Sequence, residues 1–212
     1  MLPKLTDPLT DPALDESPSR GEQSRLQIIQ AATSLFIGQG YHGTSMRQVA
    51  QAAGIALGGI YNHFPSKEAL FVAILLERHP VKEIVPALNA SQGETVEALV
   101  RDAARLLVEI LGKRMDFLNL VFIELVEFDA CHLPDMFGKV LPQVMPFIER
   151  LYQAKEGLRS VSPVLLLRSF MGLFISYVIT GMMIGEQASP DFGEKTLDRF
   201  IDIYLHGILA EG

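Results

Sequence analysis

Two places in this 212-residue chain bring together side chains that could do chemistry. The first is Pro65-Ser66-Lys67. Ser66 is suited to cap a helix, and Lys67 then falls in the first turn of the helix it opens. A helix N-terminus offers unpaired N–H donors and the positive end of the dipole, so it favours phosphate oxygens, and Lys67 adds a full charge. The second place is the corner Asp129, Cys131 and His132. No HExxH or ExxH spacing accompanies these residues, and a single cysteine makes neither an internal disulfide nor a multi-cysteine zinc site. The corner reads as incidental, with no catalytic residue, metal or cofactor expected. More informative, and separate from that corner, is Glu124, an acid within the apolar run LVFIELVEF. On a helix surface it needs nothing, but buried it would need a partner, or a cationic or hydrogen-bonding ligand.

The elements around Lys67 are short. Met46, Val49, Ala50 and Ala53 recur at i, i+3, i+4 and i+7, one face of a helix. Thr44 is the expected N-cap, with the Ser45 hydroxyl beside it. Gly54 stands where a left-handed residue ends that helix at low steric cost. The next helix has Ile60 and Phe64 as inward anchors, and its other positions are very small (Ala56, Gly58, Gly59) or polar and aromatic (Tyr61, Asn62, His63). Two short helices joined at a glycine turn make a helix-turn-helix, whose second helix enters the DNA major groove. A helix over about 22–39 precedes them, with Ile28, Ile29, Ala32, Leu35 and Phe36 inward and Gly38 and Gly40 at its end. Arg20 and Arg25 near its start oppose the helix dipole, which fits either an anionic partner or ordinary surface scatter.

Charge is unevenly placed. The net charge is −7, yet residues 20–79 hold five Arg or Lys against three Glu, while residues 1–19 carry −3 and the remainder −6. Nucleic-acid binding needs a local basic patch rather than a basic chain. Residues 1–21 repeat Leu-Thr-Asp-Pro at 5–8 and 9–12 and hold too little apolar surface to offset ordering entropy, so a disordered acidic, Pro-rich arm is expected. No signal peptide is visible, and one cysteine suits a reducing compartment, so a cytoplasmic location is expected.

Pro80 and Pro86 mark 77–90 as a junction, which gives a DNA-binding domain over 22–79 and a second domain over 80–212. The second domain is helical throughout: about 94–111, 114–128, 133–155, 162–185 and 191–209, with Ser162-Pro163 as cap and first helical residue of the fourth. Residues 169–185 carry no charge. They are at the short end for a bilayer span, and a core helix buried on most sides is the expected reading. The fold class is all-α.

At this point the residues resemble the TetR/AcrR family of bacterial transcriptional regulators. The pattern runs from Gly40-Tyr41-His42-Gly43-Thr44-Ser45-Met46-Arg47 through Val49-Ala50, Ala53-Gly54-Ile55, Gly58 and Ile60-Tyr61-Asn62-His63-Phe64 to Pro65-Ser66-Lys67-Glu68-Ala69-Leu70. The resemblance implies a three-helix helix-turn-helix domain followed by a helical ligand-binding and dimerisation bundle. It implies that Thr44, Tyr61, His63 and Lys67 hold phosphates, with Ser45 beside them. Arg47, Leu57, Gly58, Gly59 and Asn62 would lie nearest the bases. Plainer roles remain for Tyr61 as a half-buried core aromatic, His63 as a surface histidine and Arg47 as a solvated charge. Family members often have Ser-Lys-Gly-Thr where this chain has Ala56-Leu57-Gly58-Gly59. The second helix of the motif thereby lacks a capping hydroxyl, worth roughly 1 kcal/mol, and a phosphate-reaching charge.

The resemblance further implies a homodimer formed through the last two helices, on a near-palindromic operator with half-sites about one helical turn apart, ~34–36 Å. A small, largely apolar effector would bind among Phe117, Val121, Glu124, Phe128, Phe147, Phe174, Tyr177 and Met182, although such a stripe also suits simple core. The implied function is repression relieved by ligand. An activator or ligand-independent regulator of the same fold is the alternative, and an enzyme or membrane-associated helical protein leaves residues 44–70 unexplained.

Overall fold

A computed structural model of the chain describes residues 19–154, 158–184 and 195–208, whose regular elements are helices joined by short turns and loops. The chain divides into two compact units between Glu77 and Arg78.

In the first unit, α1 spans Arg20–Gly43, α2 Met46–Ala53, α3 Leu57–His63 and α4 Lys67–Arg78. α1 starts earlier than its periodicity suggests. The Ser19 side chain accepts from the Glu22 N–H while the Glu22 carboxylate accepts from the Ser19 N–H, a capping box that draws Arg20 and Gly21 out of the expected arm and into the helix. The rest of that arm, 1–18, lies outside the described residues. Gly38 does not end α1; the break comes at Gly40, whose φ of 77° and ψ of 167° suit glycine alone. Gly54 takes the left-handed conformation expected of it (φ 68°, ψ 28°) and its N–H donates to Ala50 and Gln51 carbonyls. The core is Ile28, Ile29, Phe36, Ile60, Leu70, Phe71 and Ile74, all essentially without exposure, and Tyr41 closes an aromatic triad with Phe36 and Phe71 at 5.5 and 5.6 Å.

In the second unit, α5 spans Val81–Ala90, α6 Val96–Gly112, α7 Met115–Glu127, α8 Leu133–Gln153, α9 Pro163–Ile184 and α10 Thr196–Ile208. α5 replaces the junction expected from its prolines. Pro80 is its N-cap and Pro86 lies within it on an exposed position. Its C-terminal end is held by tertiary bonds, since the Arg150 guanidinium on α8 donates to the carbonyls of Leu88, Asn89 and Ser91 at 3.2, 3.0 and 2.8 Å. These offset the hydrogen bond that a proline inside a helix removes. One apolar cluster joins α5, α6, α8, α9 and α10 through residues such as Leu88, Val100, Phe147, Leu166 and Ile201. Arg101 pairs with Glu97 and Asp202, and Arg105 with Asp198, which ties α10 to α6.

α9 departs from its expected role. Pro163–Gly181 is long and apolar enough to cross a membrane, yet only 22 % of that window is buried, so α9 is not enclosed on most sides. Val164, Leu165 and Ile175 are more than half exposed, and Ile203 on α10 is 76 % exposed.

Candidate nucleic-acid interface

α2 and α3 each bury one side and present the other. Met46, Val49 and Ala50 face the core from α2, Ile60 from α3, and Phe64 follows at the end of α3. The 3.6-residue period therefore leaves Arg47, Leu57, Gly58, Tyr61 and Asn62 exposed on the opposite sides. Tyr61 is 49 % exposed and Leu57 is 42 % exposed. His63 is partly buried beside Phe64, with ring centroids 6.4 Å apart. This edge mixes one cation, hydroxyl and amide groups, an apolar side chain and bare backbone, which are the group types that contact phosphates, base edges and thymine methyls.

The two glycines of α3 differ. A Cβ on Gly58 would meet open space, whereas one on Gly59 would lie 2.9 Å from Cγ2 of Ile55. Gly59 is therefore explained by close packing inside the unit as well as by its place on the surface. α3 has no side-chain cap at Ala56, as its sequence predicts.

Two members of the implied phosphate frame are engaged internally. Thr44 is 2 % exposed and is the C-cap of α1 rather than the N-cap of α2. Its hydroxyl donates to the Gly40 carbonyl at 2.9 Å and accepts from the Gln39 amide at 3.2 Å, so it is not presented to a phosphate. Ser45 is the N-cap of α2, in a capping box with Gln48 that the sequence reading did not identify although the Ser-x-x-Gln signal is there. Lys67 donates from Nζ to the carbonyls of Tyr41 and Thr44 at 2.8 and 2.9 Å, and Nζ stands 4.1 Å from the Tyr41 ring centroid. The ammonium thus ties the start of α4 to the end of α1, leaving one of its three protons for another acceptor. Ser66 caps α4 as expected, accepting from the Ala69 N–H at 3.0 Å. Arg25 pairs with Glu77 at 2.7 Å and lies over the Phe64 ring at 5.5 Å, a structural use that accounts for its position on α1.

The expected effector residues separate into groups. Phe147 and Phe174 belong to the apolar core of the second unit. Tyr177 packs against Phe200 at 5.8 Å, and the Met182 side chain lies outside the described set. Phe117, Val121 and Glu124 follow one another along α7 and Phe128 is its C-cap, with Phe117 edge-on to His79 at 5.0 Å and Val121 partly buried. Glu124 is fully buried rather than on the helix surface, and its partner is internal. Oε1 accepts the His132 N–H at 2.8 Å and Oε2 lies 3.0 Å from His132 Nδ1. An acid inside an apolar run, with a histidine eight positions on beyond the helix end, was the available signal. Asp129, expected beside Cys131 and His132, is exposed and takes no part in the grouping of Glu124, Cys131 and His132.

Residues 28–74 match the family model for bacterial regulatory proteins of the tetR family. The HTH-type transcriptional regulator UidR of Escherichia coli K12 is 36 % identical over 64 residues, which are 30 % of this chain and 33 % of UidR. Thus the match spans about a third of that curated relative. Among solved structures, a tetR-family transcription regulator from Shewanella sp. PV-4 superposes with a TM-score of 0.67 at 20 % identity, covering 89 % of this chain and 99 % of its own. The transcriptional regulator FadR from Bacillus subtilis, solved in complex with stearoyl-CoA, gives 0.63 at 19 % identity, covering 86 % and 98 %. These likenesses extend the shared fold over both units. The chain thus carries a tetR-family helix-turn-helix domain at 28–74, and the helical unit that follows shares its fold with solved tetR-family regulators.

Proposed function

We propose that the protein is an operator-binding repressor, acting as a homodimer and released from DNA by a small, largely apolar effector. The observation that carries this reading is the exposed edge of α2 and α3, where Arg47, Leu57, Gly58, Tyr61 and Asn62 are accessible while Ile60 and Phe64 fix the helices behind them. Tyr61 and His63 act on phosphates. Arg47 and Asn62 supply directional hydrogen bonds, and Leu57 offers an apolar surface to a thymine methyl. Lys67 contributes mainly by holding α4 against the end of α1.

Support for the dimer comes from α9 and α10. Their exposed Val164, Leu165, Ile175 and Ile203 form the kind of apolar surface that a second copy of the same helices covers. Two reading helices on one two-fold axis would then recognise a near-palindrome. The second unit is the effector-binding part in this reading, and the fold neighbour FadR holds stearoyl-CoA. An effector that binds one conformation of the dimer better than the other shifts its population away from the DNA-competent state.

Gel shifts with the DNA upstream of the protein's own gene test the proposal. The expected result is retardation by purified protein that is reversed by an apolar effector; no retardation with or without such compounds refutes it.

A further inference from the structure

We propose that Glu124, Cys131 and His132 bind one transition-metal ion of the zinc and cobalt class, with a fourth coordination position open to solvent or an exogenous donor. The site lies where α7 ends and α8 begins, and it does not depend on the regulatory reading.

The donor atoms are already close to coordination geometry. A Glu124 carboxylate oxygen, Cys131 Sγ and a His132 ring nitrogen lie within 4.8 Å of one another. Sγ is 3.4 Å from His132 Nδ1, and Nδ1 is 3.0 Å from Glu124 Oε2. Around a tetrahedral zinc with bonds of about 2.0–2.3 Å, neighbouring donors stand about 3.3–3.6 Å apart. The Sγ–Nδ1 and Nδ1–Oε2 spacings are within a few tenths of an ångström of those values, and the third, from Sγ to the carboxylate, is at most 4.8 Å and closes by rotation of the exposed Cys131 side chain.

The backbone is shaped to bring these residues together. Asp129 and Ala130 are consecutive non-glycine residues with φ of 50° and 61°, a conformation that such residues seldom adopt and that clusters at functional sites. The corner folds back on α7, where the Ala130 N–H donates to the Glu124 carbonyl at 3.1 Å and the Cys131 N–H to the Phe128 carbonyl at 3.0 Å. The Phe128 ring meets the His132 ring edge-on at 5.2 Å and orients it.

Burial gives the cluster an inner and an outer side. Glu124 has no exposure, and the His132 N–H at 2.8 Å fixes its carboxylate, while Cys131 is exposed and gives an ion a route from solvent. Three protein donors with one open position is the arrangement of sites that bind an exogenous fourth ligand. A thiolate and an imidazole beside a carboxylate favour borderline-soft ions over magnesium or calcium. On binding, the Cys131 thiol releases its proton to solvent and the neutral His132 ring carries its one proton on Nε2, so affinity falls as pH is lowered.

The test is titration of the chelator-stripped full-length chain with Co2+, with Zn2+ and Mg2+ as competitors. The expected result is one Co2+ per chain, with a thiolate-to-cobalt charge-transfer band and four-coordinate visible absorption, displaced by Zn2+ and unaffected by Mg2+. Cys131→Ser, at an exposed position, should keep the helical circular dichroism, abolish the charge-transfer band and weaken binding at least about tenfold. His132→Ala should weaken it similarly. Absence of the band, or equal affinity in Cys131→Ser, overturns the proposal.

Discussion

Lys67→Met separates two roles that a lysine at this position can have. The substitution keeps the length of the side chain and removes the ammonium. Two charge-assisted hydrogen bonds, at 2.8 and 2.9 Å, and the contact 4.1 Å above the Tyr41 ring are lost. Hydrogen bonds to a charged group contribute about 1.5–3 kcal/mol each, and a cation–π contact at a partly exposed site about 0.5–1 kcal/mol. Lys67 is partly exposed, and water can take its place at the two carbonyls, which brings the net loss to about 2 kcal/mol. Urea unfolding followed by circular dichroism should show that loss as a lower midpoint with an unchanged slope. DNA binding gives the second measurement. A lysine that neutralises a phosphate contributes about 0.9 to the slope of log K against log salt. A lysine that ties α4 to α1 lowers affinity and leaves that slope alone. Stability within about 0.5 kcal/mol of the unsubstituted protein, together with a salt slope flatter by about one, would refute the internal tie.

Burial, with the Arg114 charge adding to it, pushes the His79 imidazole down to about 4, and its Nδ1 accepts the Val81 N–H at 3.0 Å, which suits the neutral ring. The unfolded chain therefore binds this proton more readily, so His79 costs no stability above pH ~6.5 and destabilises by about 1–2 kcal/mol as pH falls towards 4. Melting curves of the protein and of His79→Gln across that window should differ in slope, and parallel curves would count against the assignment. Gly59→Ala should destabilise by about 1–2 kcal/mol through its clash with Ile55, whereas Gly58→Ala has open space and should be neutral or stabilising by up to about 1 kcal/mol, both read by urea midpoint. Val164→Glu combined with Ile203→Glu, at positions 62 % and 76 % exposed, should give monomers in sedimentation velocity without loss of helicity; an unchanged sedimentation coefficient removes these helices from the dimer interface.

The helices of the first unit were legible because period and punctuation agree there. Met46, Val49 and Ala50 point inward as their spacing predicts, and Gly54 ends α2 in the left-handed conformation. The functions of single side chains were less legible. Thr44 and Ser45 both carry capping hydroxyls, and only the Gln39 amide and the Gly40 carbonyl, brought close by the break in α1, decide which of them points inward. Lys67 carries the residue type of a phosphate ligand, but its acceptors lie 26 and 23 positions away, beyond any local pattern. α5 was missed because proline is a strong local signal, and the Arg150 bonds that hold the helix end come from 59–62 residues further along. The choice between surface and interior for Glu124 was open in the sequence, because its partner His132 lies eight positions on, past the positive-φ pair Asp129 and Ala130.

α3 has seven residues, two of them adjacent glycines, and no side-chain cap. Nearly all of its order comes from Ile60 and Phe64, which pull it onto the rest of the unit. Amide hydrogen exchange should therefore be fastest there among the helices of this unit, because a segment with few anchors opens without the whole unit unfolding. Part of the free energy gained on touching DNA is then used to quench that motion. Affinity becomes adjustable without altering any contact, since a residue that stiffens α3 at Gly58 lowers the entropic cost of binding and one that loosens it raises that cost. The helix placed to read sequence is also the one where chain flexibility can set how tightly it reads.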